Sequence, residues 1–207
     1  MSLVTKLRNI SEKKYVGPIE SFDYVHVGLL VYYLGEQAPK SRSDIADFLG
    51  LGEGAIRTIL KRLKEKALIN ITREGVLLSK KGVKLFSEFK LIFPILTEGS
   101  YGLLSLDGLN VVVLIKSKGD KVSYGIEQRD TAIKYGAKGA MTLTYENGHF
   151  MIPGEDENCE VLFPNKDWER IRVKIQPEDG DVIIICSAKK VQKAYLGCFA
   201  AALTLIQ

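Results

Sequence analysis

Arg57, Lys61 and Lys64 recur at intervals of four and three residues, so a helix would set all three cations along one outward face. Thr58 lies beside them, and Arg73 stands further on in the turn-like run Arg73-Glu74-Gly75. Cations repeated on one face neutralise phosphates, and an arginine in such a row can also take a guanine edge through two hydrogen bonds. The other reactive residue types are scattered. Cys159, Cys186 and Cys198 and the two histidines, His26 and His149, share no ligand spacing, so no zinc set is expected. Cys186 and Cys198 lie in apolar surroundings and read as buried, inert thiols.

Three further groupings deserve weighing. Gly136-Ala137-Lys138-Gly139 can cradle a phosphate through backbone amides. It lacks the spacing of a phosphate-binding loop, however, and follows a helix-like stretch instead of opening one, so it reads first as a helix cap and tight turn. Glu155-Asp156-Glu157 with Glu160 can attract a cation but lacks the alternating ligands of a calcium loop, and reads as a solvated loop. Arg129 and Asp130 read as an ion pair at a helix start. No nucleophile–base pair stands out, so neither catalysis nor a cofactor is expected.

The elements that must position the cations follow from periodicity. From Asp23 to Glu36, Val27, Leu30, Val31 and Leu34 form the apolar stripe of a helix, closed by Gly35 and Pro39. Ser41, with Asp44 three residues on, opens a short second helix carrying Ile45, Ala46 and Leu49. Gly50-Leu51-Gly52 turns the chain into a third helix, from Glu53 to about Lys66, with Ile56, Ile59, Leu60 and Leu63 inward. Leu68–Thr72 and Val76–Leu78 read as two strands about a tight turn, and Ser79 as the start of a helix carrying Val83, Leu85, Phe86 and Phe89.

This order, together with Ile45-Ala46, Leu49-Gly50-Leu51, Leu60-Lys61-Arg62-Leu63 and Leu68-Ile69, resembles the winged helix-turn-helix domains of prokaryotic transcription regulators over about residues 23–90. The resemblance implies a mainly α N-terminal domain whose third helix enters the major groove. Arg57, Thr58 and Lys61 would then lie nearest the bases or phosphates, and Arg73 on the wing. Lys64 continues the basic face. One departure concerns the helix start, Gly52-Glu53-Gly54-Ala55, where relatives carry longer polar donors. Glu53 repels phosphate, although it can accept from a cytosine amino group.

Beyond Phe93-Pro94 strand patterns replace helical ones, which places a boundary near residue 95 after a domain over 1–94. In the domain over 95–207, Thr97–Gly108 reads as a loop and Asn110–Ile115 as a buried strand. Val122–Ile126 pairs back on that strand, and Glu127–Tyr135 is a helix. Ala140–Tyr145 and Phe150–Ile152 form a hairpin about Asn147-Gly148. Asp181–Cys186 is a further strand, and a helix runs from Ala188 to near Ile206. The expected class is α+β with a mixed or antiparallel sheet. The stretch from Gln128 to Pro153, with Tyr135-Gly136-Ala137-Lys138-Gly139 before the hairpin, resembles the small GAD-type domain of bacterial aspartyl-tRNA synthetases and of a tRNA-dependent amidotransferase subunit. Both halves together are similar to a group of archaeal winged-helix proteins.

Charge divides the same way: residues 1–93 carry sixteen Lys and Arg against ten acids, a balance of +6, and residues 94–207 a balance of −2. A basic module beside a mildly acidic one suits a polyanion partner. Cysteine usage and the lack of an apolar leader or spanning stretch suggest a cytoplasmic protein with no membrane contact. The expected function is sequence-specific double-stranded DNA binding in transcriptional regulation. The second domain would dimerise, through the small residues Gly197, Ala200 and Ala201, or sense a small-molecule effector. An RNA- or translation-linked adaptor and a protein-interaction winged helix without DNA binding remain open alternatives.

Overall fold

The computed structural model describes residues 2–12, 20–100, 102, 108–155 and 158–206. The chain divides into two compact units, Met1–Phe89 with Ile206–Gln207, and Lys90–Leu205.

The first unit is helical with one small hairpin. Helix α1 (Leu3–Ser11) opens on Ser2, whose Oγ accepts from Thr5 N, and buries Leu3, Val4, Leu7 and Ile10. It packs on α2 (Tyr24–Gln37), which is capped by Asp23 and buried over most of its surface. Helix α3 (Arg42–Leu49) starts at a reciprocal box: Ser41 Oγ accepts from Asp44 N and Asp44 Oδ2 accepts from Ser41 N, each at 3.0 Å. The Ser41 hydroxyl and amide hold the Asp44 carboxyl below its usual range. Gly50, left-handed at φ 63°, ends α3, and α4 spans Glu53–Glu65. Strands β1 (Ile69–Ile71) and β2 (Val76–Leu78) pair antiparallel.

Lys40 adds a third, one-residue strand to this hairpin, exchanging backbone hydrogen bonds with Val76 at 3.0 and 2.8 Å. Gly75 is required there, because at its φ of 138° a Cβ would stand 2.7 Å from the Lys40 carbonyl oxygen. Helix α5 (Lys80–Ile92) begins as expected at Ser79, whose Oγ accepts from Lys81 N and Gly82 N, both at 3.1 Å. Its core contacts are Leu85 and Phe89, whereas Val83 faces solvent.

The second unit is a five-stranded antiparallel sheet in the order β3-β4-β7-β5-β6. Its strands are β3 (Ile95–Glu98), β4 (Leu109–Ile115), β5 (Gly139–Glu146), β6 (His149–Met151) and β7 (Val182–Ala188). Helices α6 (Ile126–Lys134) and α9 (Val191–Thr204) pack on one face. The short α7 (Cys159–Leu162) and α8 (Asp167–Ile175) belong to the other, where Trp168, Ile171 and Ile175 meet Leu143, Phe150, Ile183 and Ile185. Every residue of the central strand β7 is buried, which explains its unbroken apolar run. At its foot the buried Asp181 carboxylate accepts from Lys116 Nζ at 2.7 Å, Glu178 N at 2.8 Å and Ser117 N at 3.0 Å.

Several expectations change here. The loop expected over Thr97–Gly108 begins inside an edge strand, since Ile95–Glu98 pairs with β4; residues 101 and 103–107 lie outside the described residues. Val122–Ile126 forms no strand, because both sides of β4 are occupied by β3 and β7. Residues 119–121 make a 3-10 turn instead, and Ile126 starts α6. The sheet is antiparallel throughout. Gly197, Ala200 and Ala201 do not form an outward seam: all three are buried, and a Cβ on Gly197 would lie 2.9 Å from Ala137 Cβ and 3.1 Å from the Ala132 carbonyl oxygen. The small residues let α9 approach α6 within one chain.

Candidate nucleic-acid interface

Helix α4 starts without a side-chain cap on Gly52 and buries Ile56, Ile59, Leu60 and Leu63. That row fixes which face turns outward, and Arg57, Lys61 and Lys64 are all exposed on it. Arg57 Nη2 donates to Glu53 Oε2 at 3.0 Å, with side chains 70% and 83% exposed. An exposed i, i+4 pair of this kind is worth only about 0.3–0.5 kcal/mol, so Arg57 can be drawn off it by a stronger acceptor. Thr58 is half-buried, and its hydroxyl donates to the Gly54 carbonyl at 2.9 Å, which leaves the oxygen as an acceptor only.

Arg62, on the same helix, plays a different part. Its guanidinium forks onto Glu20 at 2.5 and 2.9 Å and stacks 5.1 Å from the centre of the Phe22 ring. It ties α4 to the residues before α2. Arg73 is exposed in the β1–β2 turn, where Thr72 Oγ1 accepts from Glu74 N at 3.2 Å and Thr72 N donates to the Gly75 carbonyl at 2.9 Å. Arg57, Lys61 and Lys64 therefore share one face of one helix, Thr58 flanks it, and Arg73 sits on a separate hairpin anchored through Val76 to Lys40.

Two residues escaped the sequence reading. Arg42 is exposed in the first turn of α3 but stands alone, outside any periodic row. Lys40 is the hairpin's third strand and places its ammonium 5.1 Å from the centre of the Tyr33 ring, itself stacked on Phe48 at 3.9 Å. The Pro39-Lys40-Ser41 step before a helix was its only trace in the sequence.

The groupings weighed for other chemistry resolve into structure. Gly136 N donates to Ile133 O, Ala137 N to Ala132 O and Lys138 N to Ser187 O, at 2.9, 3.1 and 2.7 Å. With these amides committed, the loop presents no nest for a phosphate. Glu160 accepts from Arg172 at 2.5 Å and lies 3.7 Å from His149, so it braces the sheet edge instead of joining a cation site; Asp156 and Glu157 lie outside the described residues. Burial pushes the Cys159 thiol up to about 11 and the Cys198 thiol well above its usual value, which keeps both protonated near neutrality. Cys198 donates weakly to the carbonyls of Val111 and Ile184 at 3.4 Å. Arg129 and Asp130 pair at 3.0 Å on the surface. Among the described residues no three His, Cys, Asp or Glu gather as metal ligands, and no helix is long and apolar enough to cross a membrane.

Comparison with known proteins divides the chain in a similar way. A family model described as the PH0730-like N-terminal domain matches residues 28–84, and one described as a domain of unknown function (DUF4443) matches residues 106–205. No curated protein matches. Among solved structures, the hypothetical protein PH0730 from Pyrococcus horikoshii OT3 superimposes with a TM-score of 0.71 at 28% identity, covering 87% of this chain and 91% of that one. These likenesses are consistent with a two-domain family that includes an archaeal protein.

Proposed function

We propose that the first unit is a winged helix-turn-helix module that binds duplex DNA and that the chain regulates transcription. The observation that carries this reading is the outward face of α4, where Arg57, Lys61 and Lys64 stand exposed on the helix that follows the tight Gly50-Leu51-Gly52 turn. The element order supports it: α3, turn, α4, a hairpin strapped to Lys40, then α5, with Arg73 at the hairpin tip as the wing residue. In this arrangement α4 enters the major groove, Lys61 and Lys64 neutralise phosphates, and Arg57 exchanges Glu53 for a base edge. The resemblance of residues 128–153 to GAD-type domains rests only on a helix followed by the β5–β6 hairpin and adds no RNA partner to this reading.

Selection from fragmented genomic DNA with the purified full chain tests the proposal. Enrichment of a common duplex motif is expected, with binding to B-form DNA exceeding binding to A-form RNA, whose major groove is too deep and narrow for α4. Equal binding to both, or no enrichment at low salt, overturns it.

A further inference from the structure

The second unit holds a cavity of about 500 Å³ on the α7–α8 face of its sheet. Its walls are Met141, Thr142 and Leu143 of β5, Ile152 beyond β6, Cys159 of α7, Phe163 just after it and Trp168 of α8. Volumes of roughly 300–1,000 Å³ with predominantly apolar walls are those of small-molecule sites. Among the described residues no charged side chain lines it.

Two of its three polar side chains, Trp168 and Asn165, are engaged by the protein, while the third, Thr142, keeps a buried Oγ1 without a hydrogen-bond partner among the described residues. The Trp168 indole N–H donates to the Phe163 carbonyl at 2.9 Å. Asn165, at the rim, spends Nδ2 on the same carbonyl at 3.1 Å and accepts from Asp167 N at 2.7 Å. A charged guest would lose its hydration without meeting an opposite charge among these residues. One wall is aromatic, with Trp168 stacked on Phe150 at 5.3 Å between centroids. At the mouth, Phe163 is 58% and Met141 37% exposed, apolar surface that an occupant would cover.

We propose that this cavity is a binding site for an uncharged, apolar small molecule carrying a planar aromatic ring system. The site goes beyond the DNA-binding reading and does not depend on it, because occupancy is read without DNA.

Trp168, the chain's single tryptophan, forms part of the wall and reports directly. The full chain is titrated with N-phenyl-1-naphthylamine, an uncharged aromatic probe that accepts energy from tryptophan. Saturable one-to-one binding is expected, with quenching of Trp168 and sensitised probe emission. Met141→Arg, which places a charge at the mouth from a partly exposed position, should weaken binding at least tenfold. Ile133→Arg, on exposed α6 of the opposite sheet face, should leave it unchanged. Circular dichroism verifies that both variants are folded, and Phe163→Ala replaces Met141→Arg if the latter is not, with at least a threefold loss expected. Non-saturable transfer, or wild-type affinity in a folded mouth variant, overturns the site.

Discussion

Replacing Lys61, Lys64 and Arg73 together by Ala removes three exposed cations from α4 and the β1–β2 turn while sparing the buried row Ile56, Ile59, Leu60 and Leu63. The fold should persist. Each phosphate contact releases counterions and contributes about 0.9 to the slope of log K against log salt on B-form DNA. Three lost contacts therefore flatten that slope by about 2.7. Between 50 and 200 mM salt this shrinks the affinity advantage of the native chain roughly 40-fold, uniformly across sequences. Arg57→Ala should act otherwise. A bidentate guanine contact is worth about 1–3 kcal/mol against a wrong base, well above the few tenths needed to release Arg57 from Glu53. Its loss should erase preference at one base pair and spare the rest. Anisotropy titrations of a selected duplex and its point variants at three salt concentrations measure both effects. A native slope in the triple variant, or an even loss across all duplexes for Arg57→Ala, refutes the assignment of roles on α4.

Glu53→Gln should tighten binding to every duplex. One negative charge about 7 Å from a phosphate costs about 0.6 kcal/mol in water, roughly threefold in affinity at low salt; unchanged affinity would place Glu53 away from the backbone. Asp181→Asn should cost about 3 kcal/mol in urea melts, since it removes the buried carboxylate and leaves Lys116 only the exposed Glu178. Burial opposes the Lys116 charge, yet hydrogen bonds to Asp181 and Glu178 and their charges outweigh it and raise its pKa. Its contribution is therefore complete below the unfolded value near pH 10.4 and fades as pH rises through the folded value. The variant, with Glu178 as the remaining partner, should show a shallower alkaline fall, and an identical fall in both proteins counts against the Asp181 pair. Thr142→Val should stabilise the second unit by about 1 kcal/mol, because Thr142 Oγ1 is buried with no hydrogen-bond partner among the described residues; a lower melting temperature would mean that the hydroxyl has one.

Much of the first unit was legible because its signals are local. The Ser41–Asp44 box, the left-handed Gly50 and the Ser79 start are set by residues within four positions of one another, and their hydrogen bonds follow the expected pattern. Asn147-Gly148, at φ 52° and 80°, turned the β5–β6 hairpin for the same reason. Strand partners were harder. Val122–Ile126 has a plausible strand composition, but the residues of β4 pair on both sides with partners distant in sequence, from Glu98 opposite Val111 to Ala188 opposite Leu109, and nothing near position 122 encodes that competition. Helix α8 was missed although Trp168, Ile171 and Ile175 have helical spacing, because charged neighbours mask a three-residue stripe whose partners are β-strand residues far along the chain. At the candidate interface, spacing revealed which cations share α4, but not that Arg57 holds Glu53 or that Arg62 turns inward to Glu20.

The stripe of Gly197, Ala200 and Ala201 bears on how such a protein would find DNA. Small residues permit close approach of another backbone but do not say whose. Here α6 supplies it, while Cys198 seats the neighbouring face of α9 on β4 and β7. With both faces occupied, Ala200→Arg should unfold the second unit instead of splitting a dimer, since it buries a charge beside a close helix contact. Any pairing of two copies on DNA must then use other surfaces. The symmetry of selected sites decides whether pairing occurs: two inverted half-sites about one helical turn apart require two modules, and a single short motif requires one. A short asymmetric motif bound with one-to-one stoichiometry would remove dimerisation from the reading while leaving the basic face of α4 as the element that reads it.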